Sequence, residues 1–447
     1  MVPIHVIGGG LAGSEAALQV ARAGLPVVLY EMRPVRQTAA HQTDRFAELV
    51  CSNSLKSEQE NSAPWLLKEE LRRLGSFLLD VAWKARVPAG HALTVDRAVF
   101  AEEVSRTVEA NPLIEVRREE MIRVPEDGVA IIATGPLTSD ALAAEIARIT
   151  GSDRLYFYDA ISPIVEAESI DMSIAFRASR YGKSLDSSDD YVNCPFEKDE
   201  YERFLDALLE ASSVPAHIPA DNACYFEACL PIEELARRGR ETLRFGPMKP
   251  MGLVDPRSRR RPYAVVQLRQ ENLRADSFNL VGFQNHMRFP EQARVFRLIP
   301  GLDRAEFVRY GQIHRNTYIN APTLLRSTLQ MKRHARVLFA GQISGVEGYV
   351  ESIATGQSAG MAAAALAHGD EPTAAPRATA MGSLLHYITN ANARDFQPAN
   401  ITFDLLEPLD ESTRRRVRDK KLRHRLVCER ALAALEAWLA PREAAAG

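Results

Sequence analysis

The segment Ile4 to Glu31 constrains this chain more than any other. Ile4-His5-Val6-Ile7 is a short β-branched run that suits a buried strand. Gly8-Gly9-Gly10-Leu11-Ala12-Gly13 follows at once. Ser14 to Ala23 then reads as a helix with Ala16, Ala17, Val20 and Ala21 on one face and Gly24 at its C-terminal end. Val27 to Tyr30 reads as a second strand, and Glu31 stands at its end. Gly8 permits the tight turn, Gly10 lets the backbone approach a pyrophosphate, and Gly13 lets the helix pack close to the strand. A helix N-terminus here offers free N–H groups and a positive dipole to phosphates, with Leu11 and Ala12 in the same contact segment. Glu31 is placed to accept hydrogen bonds from a ribose diol. A lone glycine-rich loop is a weak signal and is otherwise just a βα turn. The order of strand, helix, strand and terminal acid turns it into a dinucleotide-binding fingerprint.

Only one such fingerprint occurs. Val129 to Ile132 is a later apolar strand running into Ala133-Thr134-Gly135, and Val337-Leu338-Phe339 is another, running into Ala340-Gly341-Gln342 and on to Gly345 and Gly348. This arrangement resembles flavoproteins of the glutathione-reductase-like superfamily, in which such turns surround one FAD. The resemblance implies FAD contacts at Gly135, Gly341, Gln342 and Gly348, with Gln342 standing where many such proteins carry Asp. A resident nicotinamide domain would need a second fingerprint, so NADPH or NADH is expected to reduce the flavin by transient binding. The expected fold is α/β: a glutathione-reductase-like FAD-binding Rossmann domain with an α+β insertion domain. Residues 1–184 and 328–447 are assigned to the FAD-binding domain and residues 185–327 to the insertion.

Charge carries the next constraint. The chain has 55 Lys and Arg against 58 Asp and Glu, net −3, which excludes a uniformly basic nucleic-acid coat protein. The neutral total conceals a polarity. Residues 185–236 hold 13 acidic and 2 basic side chains, whereas residues 237–326 hold 7 acidic and 18 basic. The basic half includes Arg257, Arg259, Arg260 and Arg261, a surplus large enough for several phosphate contacts. A second cluster runs from Arg414 and Arg415 to Arg425. It reads either as a further nucleic-acid contact or as a solvated helix face before the apolar helix at 426–439. No apolar run reaches membrane-spanning length, and the N-terminus reads as a strand, not as a signal peptide, so the expected location is the cytoplasm with no membrane partner.

Five cysteines without regular spacing exclude a disulfide scaffold, and no Cys-x-x-Cys or His cluster suggests a metal. Cys51 has no neighbouring thiol, which disfavours disulfide-reductase chemistry. Cys229 lies at the edge of the basic half, five residues after Cys224. Cys194 and Cys428 have no recognisable chemistry around them. Any single Cys reads first as a small buried apolar residue. A thiol of pKa about 8.5 is only about 3% thiolate at pH 7, so a working one needs nearby positive charge. Arg237 and Arg238 could supply it to Cys229.

Several strings then occur in a telling order: Cys51-Ser52-Asn53-Ser54-Leu55-Lys56-Ser57, Phe226 to Glu233, Gly246 to Pro250, Gln267-Leu268-Arg269-Gln270-Glu271-Asn272, Gly282 to Phe289, His314 to Tyr318, and Gly341 to Glu351. With the N-terminal fingerprint they resemble the TrmFO family, folate- and FAD-dependent tRNA (uracil-5-)-methyltransferases, from about residue 4 to about residue 425. The longer GidA/MnmG proteins share the FAD motifs, but this chain is expected to be too short for their C-terminal tRNA-binding region.

The resemblance implies methylation of the T-loop uridine of tRNA, with methylenetetrahydrofolate as carbon donor. A thiolate adds to uracil C6, C5 attacks the folate methylene, a base removes the C5 proton, and reduced FAD delivers a hydride. Cys229 is the expected nucleophile because it sits beside the basic region. Cys51 is expected near the flavin, in proton transfer or shielding, and the reversed assignment remains open. Glu347 and Tyr349 either bracket the folate or target base, or simply pack the turn after the last FAD strand. Arg97 either reaches the flavin or folate, or forms a salt bridge at a helix N-terminus. Two other readings compete: a GidA-like modification of the wobble uridine, and a non-catalytic FAD-containing RNA-binding protein.

Overall fold

The computed structural model describes residues 2–38, 40–151, 155–160, 162–182, 184, 189–214, 230–311 and 313–446. Five strands form a parallel sheet in the order Val337–Phe339, Ala130–Ile132, Ile4–Ile7, Val27–Tyr30 and Ile114–Arg117. Ile4–Ile7 and Val27–Tyr30 are buried along their whole length. Helices cover both faces of such a sheet, which is why these runs are continuous and do not alternate.

The first helix spans Leu11–Arg22. It begins earlier than the expected Ser14, because Gly10 is extended and serves as its N-cap, so Leu11 to Gly13 already form the first turn. Gly24, at φ +76°, ends it as expected. The 20-residue helix Tyr349–His368 packs against it. A Cβ on Gly356 would lie 2.3 Å from the Ala12 carbonyl oxygen, and one on Gly360 would lie 2.8 Å from that of Ala16. The two contacts advance in step, so the helices run parallel and point their N-termini toward the same side of the sheet.

A second, separate core belongs to the insertion. Its sheet is antiparallel, in the order Phe176–Arg177, Tyr191–Phe196, Ala264–Gln270, Ser277–Leu280, Ile164–Glu166 and Phe307–Arg309. Helices Lys198–Glu210 and Phe289–Phe296 pack Phe204 and Phe296 into this core beside Phe196 and Phe283. The α+β character is as expected; the boundaries differ. The second core begins with Val165 and ends with Phe307, whereas Tyr318 to Met331 pack into the first. The insertion therefore starts and ends earlier than 185 and 327. Strands Leu155–Ala160 and Ile313–Tyr318 pair antiparallel at the passage between the two cores.

At the C-terminus, the helix Lys420–Ala446 starts before the expected residue 426, and Val427, Cys428, Ala431 and Leu435 enter the first core. Helix Ala63–Arg73 contributes the wholly buried Glu70, whose carboxylate accepts hydrogen bonds from the N–H groups of Ala380 (2.6 Å) and Met381 (2.8 Å) at the start of helix Ala380–Asn390. Burial pushes the Glu70 carboxyl up to about 8 against the opposing pull of those two hydrogen bonds. A raised folded-state value means that Glu70 supports stability below the ordinary carboxyl value and loses that support as pH rises toward 8. Glu70→Gln cannot ionise. Its stability relative to the parent should therefore rise steadily between about pH 5 and about pH 9 in denaturant unfolding, on top of a constant offset for the altered cap. A pH-independent gap would contradict the assignment.

Candidate active site

The N-terminal turn builds one wall of a cleft of about 1000 Å³. Gly8 has φ +105°, and a Cβ there would sit 2.6 Å from the Ala133 carbonyl oxygen. A Cβ on Gly13 would sit 1.8 Å from the Gly8 carbonyl oxygen, so helix and strand touch backbone to backbone. Around the Cβ position of Gly10 there is nothing within 4 Å. Gly8, Gly9, Gly10, Leu11 and Ala12 line the cleft from one side, and Gly135, Gly341 and Gln342 complete it. An open face at Gly10 beside a helix N-terminus is the shape and polarity a pyrophosphate needs. The residues present therefore fit FAD.

Glu31 lines the same cleft. Its Oε2 accepts from the Gly9 N–H at 3.0 Å, and its Oε1 accepts from the backbone N–H (3.0 Å) and Nε (2.9 Å) of Arg33. Burial alone would raise its pKa, but the Arg33 contacts hold it below the ordinary carboxylate range, so it stays ionised. Arg33, almost wholly buried, also bonds Glu48 and the carbonyl oxygens of Thr43 and Arg45. The fingerprint has no position for Arg33, and sequence reasoning missed it.

A second cavity of about 490 Å³ continues from the first. The two share Val50, Pro136, Leu137, Gln342, Tyr349 and Ser352, and the second adds Cys51, Asn316, Glu347 and Gly348. Cys51 sits on a loop pinned from three directions. The N–H groups of Cys51 and Ser52 donate to the Tyr349 hydroxyl at 2.9 and 3.1 Å. Arg97 donates to the carbonyl oxygens of Leu49 (2.7 Å) and Cys51 (3.0 Å). Arg309 donates to those of Val50 and Cys51, both at 3.3 Å. Arg97 is in turn held by Glu271 at 2.6 Å, and Glu271 also accepts from Asn279. Asn53 bridges the loop to the insertion through the Gln270 carbonyl oxygen at 2.9 Å.

Burial raises the Tyr349 phenol above its ordinary value, so it remains neutral and serves as a hydroxyl. Gln342 donates to Glu347 at 2.6 Å, placing both at the second cavity. Glu347 and Tyr349 line this cavity together with Cys51. Arg97 lines neither cavity; its expected alternative, a salt bridge at a helix N-terminus, is what the structure contains, and the partner is Glu271 from the insertion. Cys229 and Cys224 lie outside the described residues. Cys194 and Cys428 are buried and their thiols are pushed up to about 12 by burial, in keeping with a packing role.

The basic candidates sit away from both cavities. Arg257, Arg259, Arg260 and Arg261 are exposed on the turn closed by the Asp255–Arg260 bridge, with Arg257 tied to Asp255 at 3.0 Å. Arg414 and Arg415 are exposed on the short helix Glu411–Arg416, with Arg415 paired to Glu411. Sequence reasoning missed Arg309 altogether. Arg269 and Glu271 were within its reach, because both fall in the string Gln267 to Asn272.

Comparison with known proteins adds a family to this geometry. The family described as Glucose inhibited division protein A matches residues 3–371. The chain is 70% identical over 437 residues to a protein of Solibacter usitatus named methylenetetrahydrofolate–tRNA-(uracil-5-)-methyltransferase TrmFO, covering 98% of each chain. It is 68% identical to the TrmFO of Koribacter versatilis and 56% identical to that of Geobacter sulfurreducens, again across 98% of this chain. The chain belongs to the TrmFO family. Among solved structures, Aquifex aeolicus GidA superposes with a TM-score of 0.70 at 17% identity, over 97% of this chain and 73% of that one, which establishes a shared fold. No helix among the described residues is long and apolar enough to cross a membrane, and no group of His, Cys, Asp or Glu among them could hold a metal ion.

The glycines give a direct test of the cleft. Gly10→Ala places a methyl in open space at an ordinary φ of −76°, so the apoprotein should fold and melt as the parent does. FAD affinity should fall by about tenfold or more, because the methyl occupies the approach of the pyrophosphate. Flavin titration beside an apoprotein melt checks this; undiminished FAD affinity would move the pyrophosphate elsewhere.

Proposed function

We propose that the chain methylates the T-loop uridine of tRNA at C5, with FAD regenerated by NADPH or NADH. At the coarser level it is a methylenetetrahydrofolate–tRNA-(uracil-5-)-methyltransferase, the activity for which relatives of 53–70% identity across 98% of the chain are named. The observation that carries the reading is the continuity of the two cavities: a dinucleotide cleft opens into a chamber lined by a thiol, a carboxylate and a half-buried tyrosine.

Bound in the cleft, reduced FAD supplies the hydride that turns an exocyclic methylene on the uracil into a methyl group. The chain's own residues supply the rest. A thiolate adds to uracil C6 and raises the nucleophilicity of C5, which then takes the folate methylene. We assign that addition to Cys229 and the proton transfer at C5 to Cys51. Glu347, steadied by Gln342, orients the base or the pterin through hydrogen bonds, and Tyr349 keeps the Cys51 loop in place. The uridine must leave its stack to reach the chamber, an extrusion of about a few kcal/mol, so phosphate contacts have to hold the tRNA meanwhile. Arg259 and Arg260 are exposed and lack a salt-bridge partner among the described residues, which suits them to that task.

The decisive experiment incubates the FAD-loaded protein with unmodified tRNA, NADPH and methylenetetrahydrofolate labelled in its methylene carbon. Label should appear in 5-methyluridine of the T loop, and Cys229→Ala should keep FAD and lose the label. Label at the wobble position would assign the chain to GidA-like chemistry, and tRNA binding without label would leave only an RNA-binding flavoprotein. A Cys229→Ala protein of full activity would reverse the thiol assignment. Separately, replacing Arg259, Arg260 and Arg261 by Ala should weaken tRNA binding and lower the slope of log affinity against log salt by about 2 to 3. An unchanged slope would remove these arginines from the interface.

A further inference from the structure

Three guanidinium groups surround Cys51. Arg97 and Arg309 donate to its carbonyl oxygen, and Arg97, Arg269 and Arg309 all lie within electrostatic range of its side chain. They converge from three elements: the N-terminus of helix Arg97–Glu109, strand Ala264–Gln270 and strand Phe307–Arg309. Among the described residues the carboxylate ion-paired within this group is Glu271, and its partner is Arg97. The Nε–H groups of Arg269 and Arg309 are buried and have no acceptor among the described residues. Arg309 is pulled down to about 10, first by burial and next by repulsion from Arg97. The cluster thus holds more positive than negative charge, in a region where solvent screens little.

Among the described residues, the other groups facing Cys51 do not restore the balance. Tyr349 is kept neutral by burial. Counting Glu347, which lines the same cavity and accepts from Gln342, the described carboxylates near Cys51 number two against three guanidinium groups. A neutral thiol would leave the guanidinium surplus uncompensated, whereas a thiolate removes one unit of it.

We propose that Arg97, Arg269 and Arg309 act as positioning residues that hold Cys51 as a resting thiolate at the junction of the flavin cleft and the second cavity. The inference deepens the methyltransferase reading. In that reading Sγ takes the C5 proton, and the C5–H electron pair becomes the exocyclic C=C bond as the carbon–nitrogen bond to folate breaks. The folate nitrogen leaves with that bond's pair and a solvent proton. A thiolate accepts the proton directly, while a neutral thiol has no basic pair of comparable strength. The reversed thiol assignment, with Cys51 adding to C6, demands the same ionised state.

The test needs neither tRNA nor folate, so it stands apart from the activity assay. The FAD-loaded protein is alkylated with iodoacetamide across a pH series, and carbamidomethylation of Cys51 is quantified by peptide mass spectrometry. The rate–pH midpoint for Cys51 should lie at least about one unit below the ordinary thiol value of about 8.5. Arg269→Met and Arg309→Met should each raise that midpoint by about one unit with the flavin spectrum unchanged, and Arg309→Lys should restore most of it. Arg269 makes no hydrogen bond to the Cys51 loop among the described residues, so its variant reads the field even if Arg309→Met disturbs folding. A parent midpoint at the ordinary value, or a midpoint that ignores Arg269→Met, would overturn the proposal.

Discussion

The Arg97–Glu271 ion pair is the contact on which the rest of this structure leans. It joins the first core to the insertion, and both side chains are largely withdrawn from water, at 17% and 5% exposure. Burying either charge alone would cost several kcal/mol, and a pair repays this only when its remaining donors and acceptors are used. Here they are. Arg97 spends its other N–H groups on the carbonyl oxygens of Leu49 and Cys51, and Glu271 also accepts from Asn279. The preceding residue repeats the arrangement: Asp96 caps its own helix through Ala98 and Val99 and accepts from the Leu273 N–H of the insertion at 2.9 Å. The dipeptide Asp96-Arg97 therefore registers the two cores against each other and fixes the Cys51 loop in the same act.

This explains where the chamber lies. A flavin cleft at the C-terminal edge of a parallel sheet is a property of the first core alone. The second cavity draws its thiol loop from the first core, where Tyr349 and Arg97 pin it, and Arg309 and the Gln270 carbonyl oxygen reach it from the second. Chemistry that needs a reductant and a thiol on neighbouring atoms of one substrate fits such a seam.

What was legible in the sequence divides along the same line. Gly8, Gly10 and Gly13 were readable because they form one short glycine-rich turn between a strand and a helix: Gly8 takes a positive φ, Gly10 leaves its face open, and a side chain on Gly13 would collide with the Gly8 backbone. Cys51 was readable as chemistry, but its surroundings were not. Tyr349, which fixes the loop, lies 298 residues away from Cys51 in sequence, and Glu271 lies 174 residues from Arg97. Arg97 read equally well as a ligand contact or a salt bridge, and only a distant partner decides. The insertion boundaries were misplaced for the same reason. Ile164–Glu166 joins the antiparallel sheet because it pairs with Ser277–Leu280, and neither strand reveals the other in its residues. Arg309 had no signal, being one arginine in a stretch rich in them.

That stretch deserves to be read by depth as well as by count. The surplus of positive charge between residues 237 and 326 looks uniform in sequence, yet the fold sends its members to two dielectrics. Arg259, Arg260 and Arg261 stand in water, where an ion atmosphere screens them over about 10 Å at moderate salt. Arg269 and Arg309 are turned inward against Cys51, where mobile ions do not follow. If the exposed arginines hold a polyanion as proposed, salt would loosen that grip without touching the field at the thiol. A single basic segment would then release its product by the exposed charges while the half-buried ones keep the reactive group in the state that the proposal requires for the next turnover.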